Sequence, residues 1–500
     1  MKISKSDLYD RLELGIWNRL PEGIYEVQWS SPRELIKWNR LDIGMRTLYL
    51  ELKDKTPELA DKIYFEDLRA QTLGTLVDPD NLKKSDFNIF KKVFDEVSDE
   101  IRSKGFDADK TLLPVSNTGS ILNGAHRLSA ALIHDKDVAF IQTTLPPITC
   151  DHQYFFDRAV PIKIIEQSVI QFLGYARNCF VAFLWPSGSS NVDKTEKLFE
   201  NVVYKKKICL TNKGAINLLY QCYHHMDWVG DEASSYRGLH QKLFECFPTS
   251  DGLIMIIFQA EDGIEQVRAI KEKIRFINGL GYSSIHITDT QEEALRLASL
   301  LCNENGLHYL NHADLLKNKH QNILDHILDL SKYKNIQTND FIIDGSWLLE
   351  LYGLRESKDV DILAATGRDD ISRSLNFDSR VKEIQYHGKP ANELIYNPDN
   401  HFFLFEVKLI GFEQLKSMKK KRGEAKDLLD VKLMSRFMEN KRKRFEMLRI
   451  HLAQRWLYAR IQARKNMFNF IGKILRSLGL YQSIREVYHL IINRKKHTDG

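Results

Sequence analysis

The sequence predicts a multidomain protein of the α/β and α+β classes. Its 500 residues exceed what one hydrophobic core usually holds, since domains average roughly 150 residues. Apolar runs of strand length alternate with segments of helix length through most of the chain. With 43% hydrophobic residues, 28% charged residues and 12 prolines, the composition is that of a chain that folds throughout. We therefore expect domains at residues 1–150, 151–335 and 336–434, followed by a helical tail at residues 435–500.

Cysteine usage and the start of the chain exclude several classes of protein. The six cysteines lie far apart, without a CxxC pair or a histidine at zinc-ligand spacing, so neither a disulfide framework nor a structural metal is indicated. The first residues contain no apolar signal-peptide segment, and the chain has no run of about 18 consecutive apolar residues. We expect a cytoplasmic protein that is neither exported by a signal peptide nor membrane-spanning.

Residues 1–150 end in a predicted strand–helix–strand unit. Residues 111–116 and 121–122 have the apolar pattern of short strands around a glycine-containing turn. A helix is predicted over residues 125–133 and an apolar strand over residues 138–142. Two consecutive prolines follow and indicate the domain boundary.

The turn before this helix carries the sequence Asn123-Gly-Ala-His-Arg127. A glycine where a strand turns into a helix lets backbone N–H groups approach an anion, and His126 and Arg127 add side-chain donors. These residues therefore have the pattern of a phosphate cradle. The alternative is a plain helix start, in which Asn123 caps the helix while the histidine and the arginine are solvated.

The longer run at residues 121–132 (ILNGAHRLSAAL), followed by an apolar strand, resembles the ParB/sulfiredoxin-like superfamily. That resemblance implies a nucleotide-binding domain in which Asn123, Gly124, His126 and Arg127 hold the phosphates of ATP or CTP. In sulfiredoxins the residue before the histidine is the catalytic cysteine, whereas this chain has alanine there. Reduction of a sulfinic acid is therefore not expected.

Residues 151–335 are predicted to form a Rossmann-like α/β domain with a mostly parallel sheet. Apolar runs alternate with helix-length segments, the runs at residues 180–185, 253–258 and 284–287 and the segments at residues 263–279 and 292–303. Neither the dinucleotide-binding GxGxxG motif nor the P-loop occurs in this region.

The start of the helix near residue 292 has two interpretations. Thr290 and Glu293 have the spacing of a capping box. Because ligands of α/β sheets commonly bind where a strand ends and a helix begins, the same two residues are also a candidate ligand site. The sequence assigns no chemistry to this domain.

Two acidic residues of the third domain, Asp359 and Asp361, are separated by one residue at the start of a predicted strand, whose apolar run covers residues 360–364. Alternate residues of a strand point to the same face, so the two carboxylates can share a divalent metal ion, and Mg²⁺ suits such oxygen ligands. Gly345 and Ser346 come between a predicted strand and a predicted helix and offer backbone amides and a hydroxyl to a triphosphate. The alternatives are a solvated strand end, or a fold that is kept while catalysis is lost.

The run at residues 344–363 (DGSWLLELYGLRESKDVDIL) resembles the polymerase-β-type nucleotidyltransferase superfamily, and residues 424–434 (EAKDLLDVKLM) resemble the closing helix of its small bacterial branch. The resemblance implies that Asp359 and Asp361 are catalytic metal ligands and that the Gly-Ser pair binds the nucleotide. A third carboxylate on a later strand is usual in that superfamily. Glu406 is the candidate, within the strand predicted at residues 402–409.

Charge is distributed unevenly along the chain. Residues 414–500 carry 23 Lys and Arg against 7 Asp and Glu, whereas the remaining residues carry 49 against 60. Bulky apolar residues at helical spacing on this basic background predict an amphipathic tail that binds an anionic membrane surface from the cytoplasmic side. A nucleic acid is the alternative polyanion, and a helix that packs on the body is the alternative without a partner. Residues 475–491 also resemble the C-terminal ends of bacterial surface-polysaccharide enzymes.

Together these motifs predict a kinase or nucleotidyltransferase, an enzyme that transfers a phosphoryl or nucleotidyl group from a nucleoside triphosphate to a small hydroxyl acceptor. The resemblance of the tail favours a sugar or polyol used in bacterial capsule or lipopolysaccharide biosynthesis. Two alternatives stay open. One is a nucleic-acid-binding regulatory or defence protein with a ParB-like nucleotide switch, and the other is a non-catalytic scaffold with degenerate domains.

Overall fold

The computed structural model describes residues 2–77, 85–249 and 251–439, together with four residues of the tail. The described residues up to Met434 form one compact unit, and those that follow belong to a second. The fold is mixed α/β, and in the described part of the chain three small sheets lie among twenty helices. Nearly all of the predicted tail lies outside the described residues. Among the helices that are described, none is both long and apolar enough to cross a membrane.

The first sheet lies within the N-terminal 150 residues and has the strand order β1-β2-β4-β3. Its elements are, in chain order, β1 (Lys2–Ser4), α1 (Leu14–Trp17), β2 (Ile24–Ser30), α2 (Asp42–Leu52), α3 (Pro57–Gln71), α4 (Phe87–Lys104), β3 (Leu113–Val115), α5 (Ala125–Ile133) and β4 (Val138–Gln142). Strands β3 and β4 are parallel and α5 connects them, so they form a βαβ unit. The predicted helix at residues 125–133 and the predicted strand at residues 138–142 are confirmed. The predicted strand at residues 121–122 is only an isolated bridge between Ile121 and Val115.

The second sheet has the strand order β6-β7-β5-β8 and lies in the middle of the chain. Its elements are α6 (His152–Asp157), α7 (Ile162–Tyr175), β5 (Cys179–Leu184), α8 (Val192–Glu196), β6 (Val202–Ile208), α9 (Asn212–Tyr223), α10 (Arg237–Cys246), β7 (Leu253–Gln259), α11 (Ile264–Asn278), β8 (Ile285–Ile287), α12 (Gln291–Leu301), α13 (Glu304–His312) and α14 (Asn318–Tyr333). Every neighbouring pair in this sheet is antiparallel. The prediction of a mostly parallel, Rossmann-like sheet is therefore wrong.

The strand directions explain why the sequence suggested a parallel sheet. Strands β5 and β6 run in the same direction with β7 between them, and β7 and β8 run in the same direction with β5 between them, so two split βαβ units interleave. Helix α11 covers one face through Val267, Ile270 and Ile274, and α12 contacts β5. Strands that are buried on both faces have continuous apolar sequences, and that pattern reports burial rather than strand direction.

The third sheet has the strand order β11-β10-β9-β13-β12. Its elements are β9 (Phe341–Asp344), α15 (Trp347–Leu351), β10 (Asp361–Ala364), α16 (Asp370–Ser374), β11 (Asp378–Ser379), α17 (Ile384–His387), α18 (Ala391–Tyr396), β12 (His401–Leu404), β13 (Val407–Ile410), α19 (Phe412–Arg422) and α20 (Ala425–Glu439). The strands predicted at residues 340–344 and 360–364 are confirmed within one residue. The strand predicted at residues 402–409 is instead a hairpin, because Phe405 and Glu406 adopt positive φ angles of 47° and 67° and reverse the chain in two residues.

The three sheets belong to one compact unit because helices and polar contacts join them. Helices α2 and α7 cross so closely at Gly44 that a Cβ atom there would lie 2.3 Å from the carbonyl oxygen of Ser168. The backbone N–H of Trp38 donates to Oε1 of Gln259 at 2.9 Å, which links the first sheet to the second. The amide of Asn303 donates to the carbonyl oxygen of His401 at 3.0 Å, which links the second region to the third.

Candidate carboxylate site

Three neighbouring strands of the third sheet bring a group of carboxylates together. Asp361 begins β10 and pairs in register with Asp344 on β9 and with Asp378 on β11. One oxygen each of Asp359, Asp361 and Asp378 lies within 4.8 Å of the others. Asp361 is buried, whereas the other two are exposed. Three converging carboxylates form the hard oxygen donor set that Mg²⁺ prefers, so these residues fit the metal that the sequence predicts.

Gly345 allows the backbone to pass directly beside this carboxylate group. Its φ angle is +91°, and a Cβ atom there would lie 2.6 Å from Oδ2 of Asp361, so the position excludes any side chain. The backbone N–H of Gly345 donates to Oδ1 of Asp344 at 2.8 Å. Oδ2 of Asp344 contacts Nε2 of His387 at 2.9 Å in a fully buried pair. Although burial opposes it, this partner lowers the pKa of Asp344, so that carboxylate is held charged beside the metal-ligand group.

Ser346 is connected to the carboxylate group through a second serine. Oγ of Ser346 lies 2.9 Å from Oγ of Ser357, which donates to the backbone oxygen of Asp359 at 2.8 Å. The backbone N–H of Ser357 in turn donates to Oε2 of Glu350 at 2.7 Å. Despite burial, hydrogen bonds from Lys319 and from Ser357 lower the pKa of Glu350 to about 2. Ser346, at the start of α15, therefore holds its hydroxyl next to the segment that carries Asp359.

Arg380 is a residue of this site that the sequence did not reveal. It follows β11 and pairs with the Asp361 carboxylate, while its Nη1 lies 3.3 Å from Oε1 of Glu383. Burial raises the pKa of Asp361, and the negative charges of Asp359 and Asp344 add to that rise, so Arg380 offsets it only in part. In the described part of the chain, the carboxylate group therefore carries more negative charge than Arg380 neutralises.

An ion-pair network holds the segment that leads into Asp359. Arg355 donates to both carboxylate oxygens of Asp430 on α20, at 2.7 and 2.9 Å. Lys419 lies 2.8 Å from Asp430 and 3.2 Å from Asp427, and Arg422 donates to both oxygens of Asp427. Both acidic side chains are almost fully buried. The two sequence segments that resemble a nucleotidyltransferase are therefore in direct contact.

The prediction that Glu406 is the third carboxylate is corrected by the sheet topology. Strand β13 is parallel to β9, with Leu409 opposite Ile343, so the start of β13 lies at the start of β9. Glu406 precedes β13. It thus lies at the end of the strands opposite to that of Asp361. In the described part of the chain the third carboxylate of the group is Asp378. A two-residue strand has no sequence pattern that distinguishes it from a loop, so Asp378 had no recognisable signal.

The residues of the predicted phosphate cradle, residues 123–127, pack into the protein interior. Gly124 has a φ angle of +90°, and a Cβ atom there would lie 2.4 Å from a methyl group of Leu113. Nε2 of His126 lies 2.9 Å from the hydroxyl of Tyr64, and its ring centroid lies 4.4 Å from that of Phe94. The His126 side chain is therefore directed at α3 and α4, not at the turn before α5.

Arg127 and Asn123 also contact protein groups. The guanidinium of Arg127 donates to the backbone oxygen of Leu112 at 3.3 Å, to the hydroxyl of Thr111 and to Oδ1 of Asn123 at 3.2 Å. Burial lowers the pKa of Arg127 to about 10. Gly124, not Asn123, occupies the capping position of α5, and no side chain caps it. The alternative of a capped helix with solvated side chains is therefore wrong, while phosphate binding at this turn stays a prediction.

At the start of α12, the capping interpretation is confirmed for Thr290. Its Oγ1 accepts a hydrogen bond from the backbone N–H of Glu293 at 3.1 Å. The Glu293 carboxylate lies 3.3 Å from Nε2 of His286 and accepts a hydrogen bond from the backbone of Asp289. Protein contacts account for these side chains without a ligand.

No family model, no curated protein and no solved structure matches this chain. The resemblances to the ParB/sulfiredoxin-like and nucleotidyltransferase superfamilies therefore rest on the motifs alone. The carboxylate group on β10 and β11 is the feature whose geometry carries the functional argument.

Proposed function

We propose that residues 336–434 bind Mg²⁺ and transfer a nucleotidyl group from ATP or CTP to the hydroxyl of a small acceptor such as a sugar or polyol. The observation that carries this proposal is the convergence of Asp359, Asp361 and Asp378 beside the bare backbone of Gly345. A phosphate group brought to this edge of the sheet meets both a metal-ligand group and a backbone without a side chain in the way.

The chemistry assigned to the residues follows from their positions. A bound Mg²⁺ ion would supply charge neutralisation for the triphosphate and for the leaving pyrophosphate. Asp361 and Asp378 would hold the ion from adjacent strands, and exposed Asp359 would complete the ligand set from the preceding segment. Arg380 already neutralises part of the charge on Asp361 and lies where it can contact a phosphate oxygen. Ser346 offers a hydroxyl to the same phosphates.

One observation favours a second candidate, a non-catalytic scaffold. The guanidinium of Arg380 occupies Oδ2 of Asp361, the buried carboxylate that a metal ion needs. If this pair is permanent, the third sheet keeps its fold without metal chemistry. The scaffold candidate and the enzyme candidate therefore differ in whether Mg²⁺ displaces Arg380.

Metal binding and turnover test the proposal together. We expect Mn²⁺, used as a spectroscopic substitute for Mg²⁺, to bind the wild type and to bind far more weakly to Asp361→Asn and Asp378→Asn. Asp370→Asn is the matched control, since Asp370 is an exposed acid on the neighbouring helix α16. Pyrophosphate release from ATP or CTP in the presence of sugars and polyols should be lost in the same two variants.

The outcomes separate the candidates. Pyrophosphate release that requires Asp361 supports the nucleotidyltransferase. Release of ADP that is lost in His126→Ala but kept in Asp361→Asn would place a kinase at the first motif and overturn the proposal. Absence of both metal binding and turnover in the wild type would leave the scaffold candidate.

A further inference from the structure

The compact unit contains a half-open cavity of about 530 Å³. Its walls come from α2, α7 and α12 and from the β12–β13 hairpin, so all three regions of the compact unit contribute. Glu406 lies in its wall, at the edge of the third sheet opposite Asp361. The cavity is therefore separate from the carboxylate site.

Four cations of the cavity wall form no salt bridge within the described part of the chain. Arg33, Lys55, Arg296 and Lys408 line the cavity, and among the described residues none has a carboxylate oxygen within 4.0 Å. Within the same residues, Arg296 donates to the side chain and backbone of Gln221, at 3.2 and 3.0 Å. The carboxylates of the wall (Glu51, Glu292 and Glu406) form no salt bridge with these cations. With Lys408 protonated, four cations face three carboxylates, so the wall carries a net positive charge that favours the entry of an anion.

Lys408 is the most deeply buried of the four cations. It is 4% exposed, and its ammonium donates to the backbone oxygens of Asn339 at 2.9 Å and Ile395 at 2.8 Å. An ammonium group has three donors, so these two carbonyls leave one donor for a ligand. The ammonium groups of Lys55 and Lys408 lie 4.7 and 5.1 Å from the centre of the same ring, that of Tyr396.

The remaining wall is suited to an organic molecule. Leu48, Ile170 and Leu295 contribute apolar surface from three different helices. Oε1 of Gln167 and Nε2 of Gln171, one turn apart on α7, are buried and have no hydrogen-bond partner among the described residues. Both glutamines line the cavity, and these two atoms are covered by the surrounding protein.

We propose that this cavity binds a small organic anion, with its carboxylate or phosphate group at Lys55 and Lys408 and its apolar part against Leu48, Ile170 and Leu295. The site is independent of the proposed nucleotidyl transfer, since it shares no residue with the carboxylate group. A ligand there contacts all three regions at once and therefore stabilises the whole compact unit.

Thermal shift and calorimetry on the full chain test this site. The probes are AMP, CMP, glucose 6-phosphate and citrate, with adenosine as the uncharged control and inorganic phosphate as the control without an apolar part. We expect at least one organic anion to raise the melting temperature and to bind more tightly than inorganic phosphate, while adenosine does neither. Binding by the phosphates alone would assign a phosphate head group, and binding by citrate would assign a carboxylate.

Variants distinguish this cavity from the rest of the surface. Lys55→Met and Arg296→Gln should each weaken binding about tenfold, which corresponds to about 1.4 kcal/mol. Lys62→Met on α3 is the matched control, an exposed lysine away from the cavity, and should bind like the wild type. Asp378→Asn should also bind like the wild type. The proposal is overturned if no organic anion binds, if both cavity variants bind normally, or if binding is lost only in Asp378→Asn.

Discussion

Replacing Lys408 with methionine tests whether the cavity contains an amine that titrates near neutral pH. The Lys408 side chain is buried, and among the described residues its hydrogen-bond acceptors are two backbone oxygens. Burial, together with the nearby ammonium of Lys55, lowers the pKa of Lys408 from its ordinary value near 10.5 to about 7. Methionine keeps a long unbranched side chain and removes the titrating group.

The size of the effect follows from the linkage between protonation and folding. Between pH 7 and pH 10.5 the unfolded chain binds one proton more than the native protein at this residue, so wild-type stability rises by about 1.4 kcal/mol per pH unit. Because the folded pKa of a base is lowered, the destabilisation is complete below pH 7 and decreases above it. From pH 7 to pH 9 the wild type should gain roughly 2 kcal/mol relative to Lys408→Met. For a unit of this size, that gain raises the melting temperature by roughly 2–4 °C.

The assay is the difference in melting temperature between wild type and Lys408→Met, measured from pH 6 to pH 9 at constant salt. The difference should be flat below pH 7 and then move in favour of the wild type. The control variant Lys62→Met should show a constant difference over the whole range, because Lys62 is exposed. A constant difference for Lys408→Met as well would mean that the ammonium stays protonated in the fold, and would refute the argument from burial.

Three further predictions concern the fold and the carboxylate site. Asp430→Asn should destabilise the unit by about 3 kcal/mol, because it removes the carboxylate from the buried Lys419 and the half-buried Arg355, while Glu424→Gln, at an exposed pair, should change stability by less than about 0.5 kcal/mol; urea unfolding compares the two. Gly44→Ala should destabilise the unit by about 2 kcal/mol or more, because its Cβ atom clashes with the carbonyl oxygen of Ser168. In Gly174→Ala on α7 the added Cβ atom meets no atom within 4 Å, so the same assay should show stabilisation by about 0.5–1 kcal/mol. Since the pKa of Asp361 is raised, protonation of this carboxylate should compete with Mn²⁺ binding. Calorimetry should therefore find weaker Mn²⁺ binding at mildly acidic pH than at pH 7.5. Equal affinities at the two pH values would exclude Asp361 as a ligand.

Local patterns in the sequence predicted local structure well. The helix at residues 125–133 and the strand at residues 138–142 have the predicted bounds, because their apolar spacing is set by one buried face within one element. The direction of β5 relative to β7 could not be predicted in the same way. Both strands are buried on two faces, and a continuous apolar run is compatible with either direction.

The hairpin at Phe405 and Glu406 shows a second limit of sequence interpretation. Two-residue hairpin turns usually contain asparagine or glycine, because both central residues need positive φ angles. Here a phenylalanine and a glutamate adopt them, so no turn signal interrupts the apolar run. The predicted single strand therefore placed Glu406 with the metal ligands, whereas the turn places it in the wall of the cavity.

Helix α20 distinguishes the residues that hold the third sheet together from the residues that catalysis would need. Its inward face carries Asp427, Asp430 and the buried Met434, whereas Leu428, Leu429 and Leu433 are exposed, so ion pairs together with one buried apolar side chain attach it. One of those pairs involves Arg355, in the segment that leads to Asp359. A protein that had lost catalysis would still need these ion pairs to hold that segment in place. The likeness at residues 424–434 therefore supports the fold of the third sheet. The enzyme proposal depends instead on the residues that have no such structural duty, namely the exposed Asp359 and Asp378, and on whether a metal ion displaces Arg380 from the carboxylate between them.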